Sequence, residues 1–280
     1  MSSDRGVHIK LLECKLNHQG NEKGDFTMKK LLFFVIMLLT IQTFALAGSN
    51  PLLKYTFDGN TVQGNTVKDI AGKNDGTING GAKQINNAIE FDGKDGYIVT
   101  PALEARIAGK VGFTVIGRFK TNQVPNGPLW MWGDNAKPSS SSAAEGPVGW
   151  RTTTKLFAAG FYNNGHFYAD AKKDYADNNW HVIAQVGDTA KGYLYVDGDL
   201  ISETTAGYVY AANPYLLIGA RTKNSGSEID DTEYFKGAID MILVYTSTLS
   251  KDEIMQISKE ALSVSPSKSL VAFWGQIKSR

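Results

Sequence analysis

The chain has 280 residues and a nearly balanced charge, with 29 Lys and Arg against 28 Asp and Glu. This balance argues against a nucleic-acid-binding protein or one that binds anionic membranes, because both need a basic excess. Cys14 is the single cysteine, so the chain cannot form an internal disulfide.

Residues 28–47, "MKKLLFFVIMLLTIQTFALA", have the pattern of a secretory signal peptide: two lysines, an apolar run and a small-x-small end at Ala47. The apolar run reaches 17 residues, fewer than the ~20 that span a bilayer. We therefore expect cleavage after Ala47 and no membrane insertion afterwards, with a membrane anchor as the alternative. Residues 1–27 are interpreted as a spurious or disordered extension before Met28. The mature protein would be secreted, periplasmic or on the cell surface.

Residues 48–262 are predicted to form one domain made of short antiparallel strands. Without residues 1–47, which carry six basic and four acidic side chains, 23 basic and 24 acidic ones remain. The strand segments alternate apolar and polar residues with a period of two, and Gly, Asn and Asp separate them. This pattern predicts an all-β antiparallel sandwich. The predicted strands and hairpins cover residues 113–121, 156–172, 180–204, 215–221 and 235–245.

One short helix is predicted near the C-terminus, over residues 248–262. Ser250 and Glu253 have the spacing of a capping box, and Ile254, Ile257 and Leu262 form one apolar side. Residues 263–280 form a C-terminal tail.

The order of the motifs "YTFDGN", "NDGTINGG", "AIEFDG", "WHVIAQVGDTAKGYLYVDG" and "FKGAIDMILVYTSTLSKDEI" resembles the laminin-G-like, pentraxin-like branch of the concanavalin A-like lectin/glucanase superfamily. The resemblance covers residues 52–260. It implies a jelly-roll β-sandwich of two antiparallel sheets. It also implies a domain that binds carbohydrate or another protein, frequently with one structural calcium ion.

The resemblance places a calcium site at Asp58 and Asn60, near the first strand, and at Asp240, in the last one. Asp75 could join them from a neighbouring loop. Calcium prefers such carboxylate and carbonyl oxygens. The alternative is that Asp58 and Asn60 are turn residues and that Asp240 binds loop amides. Asp240 interrupts an apolar strand and therefore needs a partner in either case.

The acidic stretch "EIDDTEYF", residues 228–235, has an E-x-D-x-x-E spacing that resembles the catalytic signature of laminarinase-type β-glucanases. In a regular strand Glu228 and Asp230 point to one face and Glu233 to the other, so a catalytic arrangement needs a bulge. Asp231 would then face the core. We interpret the stretch as a solvated acidic loop and keep catalysis by Glu228, Asp230 and Glu233 as the weaker alternative.

Aromatic side chains near the predicted loops suggest a surface that binds glycans. Trp150, Tyr162 and His166 lie beside a Ser-rich loop and an Asn-Asn-Gly turn, so they are the candidate ligand-binding residues. Trp130 and Trp132 alternate along one strand and are expected in the core, as is Trp180.

The sequence therefore predicts a non-catalytic binding module, located outside the cell, whose partner is a glycan or an extracellular protein. Two alternatives remain open. One is a glycoside hydrolase that uses Glu228 and Glu233, and the other is a structural envelope or adhesion component.

Overall fold

The structure is a computed structural model that describes residues 50–103, 112–122, 127–134, 148–149, 157–158, 173–187, 190–204, 214–223 and 228–263. All of them belong to one unit, residues 48–280. The predicted signal peptide, the N-terminal extension and the C-terminal tail beyond residue 263 lie outside the described residues. Within the described ranges, no helix combines the length and the apolar character needed to cross a membrane.

The described chain consists of 18 strands followed by one helix. The strands are β1 (Leu53–Tyr55), β2 (Val62–Gln63), β3 (Thr66–Val67), β4 (Gly76–Asn79), β5 (Lys83–Ile85), β6 (Ala88–Asp92), β7 (Tyr97–Val99), β8 (Phe113–Lys120), β9 (Pro128–Asp134), β10 (Val148–Gly149), β11 (Phe157–Ala158), β12 (Trp180–Gly187), β13 (Gly192–Val196), β14 (Asp199–Thr204), β15 (Pro214–Ile218), β16 (Ala220–Lys223), β17 (Glu228–Tyr234) and β18 (Lys236–Tyr245). The helix, α1, spans Lys251–Ser263.

These strands form two large antiparallel sheets and one small one. The first sheet has the order β14-β13-β12-β8-β18-β6-β5, and β1 also pairs with β18. The second sheet has the order β11-β10-β9-β15-β7-β4-β3-β2, and β16 pairs with β17 alone. Many neighbours in these sheets are distant in sequence, as in a jelly roll. The predicted all-β jelly-roll β-sandwich is confirmed.

The core lies between the two large sheets and contains alternate side chains of each strand. In β8, Phe113, Val115 and Phe119 point into it, where they meet Trp130 and Trp132 of the second sheet. Both tryptophans are 1% exposed, which confirms their predicted place in the core. The residues that alternate with them in β8 therefore lie on the outer face of the first sheet.

Helix α1 covers one part of that outer face. Ile254, Ile257 and Ala261 pack on a second apolar cluster formed by β8, β12, β13 and β18. The predicted capping box is present, since the backbone N–H of Ser250 donates to Glu253 at 2.7 Å and the backbone N–H of Glu253 donates to the Ser250 hydroxyl at 3.3 Å. Leu262 was wrongly assigned to the apolar side, because it is 37% exposed and Ala261 packs there instead.

Two other expectations need correction. The predicted strand over residues 215–221 is divided at Gly219, whose φ of 84° ends β15 before β16 begins. The acidic stretch is not a loop, because Glu228–Tyr234 form strand β17. Pairing with β16 supplies the backbone hydrogen-bond partners that make this polar segment extended.

Candidate functional site

A row of directly paired residues crosses the outer face of the first sheet, beyond the part that α1 covers. Trp180 of β12 lies opposite Lys120 of β8, Lys120 opposite Ala238 of β18, and Ala238 opposite Glu90 of β6. Directly paired residues in antiparallel strands point their side chains to the same face. The row therefore carries an aromatic, a basic, a small apolar and an acidic side chain in that order.

This row forms the floor of a groove with a cavity volume of about 420 Å³. Its walls come from the β5–β6 turn, from the residues after β8 and from the loop before β12. Their polar side chains include the amides of Asn86, Asn122 and Asn178. Such concave surfaces with a few convergent polar groups are typical ligand sites. We refer to it below as the outer groove, and its lining residues are Ile85, Asn86, Ala88, Glu90, Lys120, Thr121, Asn122, Asn178, Trp180, Gly237 and Ala238.

Trp180 is half-buried at one end of the outer groove rather than in the core, so that prediction was wrong. The residue begins β12, where the chain enters the sheet from a surface loop. Its ring lies over the Arg118 guanidinium, with 4.9 Å between the Arg118 Cζ and the ring centroid. A cation–π contact of this kind fixes the orientation of the ring.

Arg118 in turn forms an ion pair with Asp240, and this pair is buried. The guanidinium Nη1 donates to the Asp240 Oδ2 at 3.0 Å, and the two side chains are 2% and 3% exposed. The pairing of β18 with β8 shifts between Ile239 and Met241, so Asp240 is the extra residue of a β-bulge. Bulges change the direction of a side chain. Arg118 is thus the partner that the sequence required for Asp240.

A second buried carboxylate belongs to Asp58, which is 2% exposed and follows β1. The pKa of Asp240 is raised to about 7, because burial and the nearby charge of Asp58, which both raise the pKa, outweigh the charge of Arg118, which lowers it. Neither oxygen of Asp58 has a hydrogen-bond partner in the described part of the chain, and the same is true of Asp240 Oδ1. Two buried carboxylates thus lie near each other, and the guanidinium of Arg118 pairs with one of them, Asp240, so charge balance in this described cluster needs a proton or another cation.

Three buried oxygens without a donor fit the chemistry of a hard cation such as calcium. Asp58 and Asp240 would supply them. Among the described residues, however, no group of three or more His, Cys, Asp or Glu is arranged to hold a metal. Calcium would therefore need backbone carbonyls or water as its remaining ligands.

The other two expected metal ligands have different surroundings. Asn60 is exposed next to the turn in which Thr61 donates to the carbonyl of Asp58. Asp75 pairs with Lys68 at 2.6 Å and accepts the backbone N–H of Asp69 at 3.0 Å, which holds its own loop together.

In the acidic stretch, Glu233 accepts a hydrogen bond from Arg221 at 2.7 Å. The pairing of β17 with β16 is irregular, as a bulge would make it. The side chains of Glu228 and Asp230 lie outside the described residues. The ion pair gives Glu233 a structural role in the β16–β17 hairpin.

The predicted ligand-binding residues Trp150, Tyr162 and His166 also lie outside the described residues. Sequence reasoning missed the outer groove, although one signal was present. The alternation in "FTVIGRFKT" places Arg118 and Lys120 on the face opposite Phe119, which marks that face as polar at this end of β8.

His181 fixes the loop that carries Asn178. Its Nδ1 contacts Asp197 at 2.8 Å and its Nε2 contacts Asp177 at 3.0 Å, so it links the loop before β12 to the β13–β14 turn. Burial acts to lower the pKa of His181, but the hydrogen bonds to Asp197 and Asp177 outweigh it and raise the pKa. The imidazole of His181, in contact with both carboxylates, holds this wall of the outer groove.

Comparison with solved structures finds the same fold in proteins of low identity. Domain 4 of an extracellular arabinanase from Geobacillus stearothermophilus, solved with arabinotriose, is 17% identical with a TM-score of 0.55, covering 75% of this chain and 98% of that domain. The sialidase of Trypanosoma rangeli, solved with sialic acid, is 14% identical with a TM-score of 0.56, but the match covers 74% of this chain and 32% of the sialidase. The binding domain of botulinum neurotoxin DC, solved with rat synaptotagmin II, is 12% identical with a TM-score of 0.55. That match covers 76% of this chain and 52% of the neurotoxin chain.

At these identities the structures show a shared fold alone. A comparison with curated proteins gives no match. A family model described as the concanavalin A-like lectin/glucanases superfamily matches residues 91–255, more than half of the chain. The match includes β8, β12 and β18, which carry most of the floor of the outer groove. The chain belongs to the concanavalin A-like lectin/glucanase superfamily.

Proposed function

We propose that this protein is a non-catalytic carbohydrate-binding module that acts outside the cell. The outer groove is the observation that carries the proposal. It combines a half-buried tryptophan with amide, basic and acidic side chains on a rigid sheet. Sugars offer apolar C–H faces that stack on aromatic rings and hydroxyls that exchange hydrogen bonds with amides and charged groups.

The chemistry of the outer groove favours binding over hydrolysis. A glycosidase of the usual type needs two carboxyl groups on opposite sides of the bond that it cleaves. Glu90 is the one carboxylate among the described residues that line this groove. Among the similar structures, the arabinanase domain was solved with arabinotriose and is matched over 98% of its length, which supports binding on this fold, whereas the sialidase is matched over 32% of its length.

The location outside the cell rests on the signal-peptide pattern of residues 28–47. The proposal also includes a calcium ion at Asp58 and Asp240, supported by their buried oxygens without donors. When bound there, the ion would link the segment after β1 to β18 and neutralise the excess negative charge.

The experiment is a binding and hydrolysis screen with residues 48–280. The panel contains arabino-, xylo-, gluco- and manno-oligosaccharides, sialylated glycans and the matching polysaccharides. Saturable binding without release of new reducing ends supports the proposal. Release of reducing ends that Glu233→Gln abolishes would establish the hydrolase alternative. Absence of binding to every glycan would overturn the carbohydrate proposal.

A further inference from the structure

The row on the floor of the outer groove has a definite length and direction. It runs perpendicular to the strands, from Trp180 through Lys120 and Ala238 to Glu90. Neighbouring strands lie ~4.8 Å apart, so three spacings separate the two ends by ~14 Å. Lys83 continues the row on β5, opposite Glu90, at the edge of the sheet.

The floor is low at Ala238 and bounded at its ends. Ala238 and the adjacent Gly237 present almost no side-chain volume, whereas Trp180 stands at one end and Glu90 at the other. Arg118 occupies one face of the Trp180 ring, and Trp180 lines the groove. A ligand that fills the groove therefore stacks once and continues along the row.

The charges of the groove indicate what kind of ligand it accepts. Lys120 and Glu90 flank Ala238 on opposite sides and carry opposite charges, so the lining has no net charge among its described residues. An anionic ligand would meet Glu90 and a cationic one would meet Lys120. Neutral hydroxyls, in contrast, can accept a hydrogen bond from Lys120 and donate one to Glu90. With the asparagine amides they can donate and accept hydrogen bonds.

Tight turns hold the backbone of the groove walls in place. Asn86 and Asn178 have φ values of 49° and 66°, a region that asparagine tolerates. The backbone N–H of Asn178 donates to the carbonyl of Thr121 at 2.8 Å, which ties its loop to the end of β8. The backbone of these walls therefore needs little ordering when a ligand binds.

We infer that the outer groove binds a neutral oligosaccharide of about three sugar rings, which crosses strands β12, β8, β18 and β6 with one terminal ring stacked on Trp180. If each ring occupies about one strand spacing of ~5 Å, three rings lie over Trp180, Lys120 and Ala238 and end beside Glu90. This inference rests on the proposed function and adds the size, charge and direction of its ligand.

The test is calorimetric titration of residues 48–280 with neutral arabino-, xylo-, gluco- and manno-oligosaccharides of one to six rings. For the series that binds, affinity should rise at least tenfold from one ring to three and then change less than twofold up to six. Addition of an amino sugar at the central ring should lower the affinity, because its cationic group would lie near Lys120.

Three variants accompany the titration. Trp180→Ala removes the stacking face, and Ala238→Leu fills the floor while Trp180 stays in place. Both should weaken binding of the trisaccharide at least tenfold. Ile70→Ala removes an apolar side chain that is 40% exposed in the loop between β3 and β4, and it should leave the affinity unchanged. Circular dichroism and the thermal midpoint establish that each variant is folded.

The possible outcomes separate this inference from the proposed function. Two results would overturn the inference while the protein remains a carbohydrate-binding module. One is an affinity that neither groove variant changes, and the other is an affinity that is already full with a single ring or rises more than twofold beyond three rings. A protein that binds no glycan of any length would overturn the proposed function itself.

Discussion

Replacement of Asp240 by asparagine tests how the buried charges of Arg118, Asp240 and Asp58 affect stability. The raised pKa of Asp240, about 7 against an ordinary 3.8, means that the folded protein holds this proton more tightly than the unfolded chain does. The resulting contribution to stability is complete below pH 3.8 and is lost as the pH rises through about 7. One pKa unit corresponds to ~1.4 kcal/mol, so the loss amounts to about 4 kcal/mol.

An asparagine cannot titrate but can still accept a hydrogen bond from Arg118. Any cost of leaving Arg118 beside a neutral amide is the same at every pH, because the guanidinium stays charged. The free energy of unfolding of the wild type, minus that of Asp240→Asn, should therefore fall by about 4 kcal/mol between pH 4 and pH 8.

The assay is urea unfolding of both proteins at half-unit pH intervals, with a chelator present so that no metal competes with the proton. The linear extrapolation yields each free energy of unfolding. A difference that does not change with pH would refute the reasoning, because it would mean that Arg118 keeps Asp240 ionised throughout. Repetition with millimolar calcium should reduce the pH dependence, since an ion bound at Asp240 displaces the proton.

Three further predictions concern calcium, histidine and the helix. EDTA should lower the thermal midpoint of the wild type but not that of Asp58→Asn, because a ligand selective for the folded state stabilises it; an unchanged wild-type midpoint would remove the calcium proposal. The raised pKa of His181 gives stability that is full below its ordinary value of 6.5 and is lost as the pH rises through the folded value. His181→Asn should abolish that dependence in urea titrations, and a variant that keeps it would show that another group titrates. Ser250→Ala removes the helix cap and should cost about 1 kcal/mol, which calorimetry would record as a midpoint lower by about 2–4 °C, whereas Ser263→Ala at the other end should have a smaller effect.

Much of the fold follows from local sequence patterns. Backbone geometry alone produces the period of two in β8 and β12 and the Asp197-Gly198 turn after β13. These features can therefore be predicted without knowing which distant residues they contact. The capping box of Ser250 is likewise local. The acidic strand β17 was missed because its extended form depends on pairing with β16, and intrinsic strand propensity does not reveal such pairing.

The candidate site was less predictable because it depends on register. The position of Asp240 within an apolar strand correctly predicted that it needs a partner. The sequence did not identify that partner, because Arg118 is 122 residues away. The bulge at Asp240 and the pairing of β8 with β18 bring the two together. The outer groove depends on register in the same way, since Trp180, Lys120, Ala238 and Glu90 come from four strands. Trp180 was expected in the core because tryptophans usually are buried, and its place at the beginning of β12 is what exposes it.

The central claim is that the outer groove is a carbohydrate-binding surface, and an NMR titration tests it most directly. Amide and indole N–H resonances of residues 48–280 would be followed while the oligosaccharide that binds in the screen is added. We predict that the indole signal of Trp180 and the amide signals of Lys120, Ala238 and Glu90 move together with one saturable affinity, and that the oligosaccharide remains intact. Shifts confined to another surface, or cleavage of the oligosaccharide during the titration, would contradict the account.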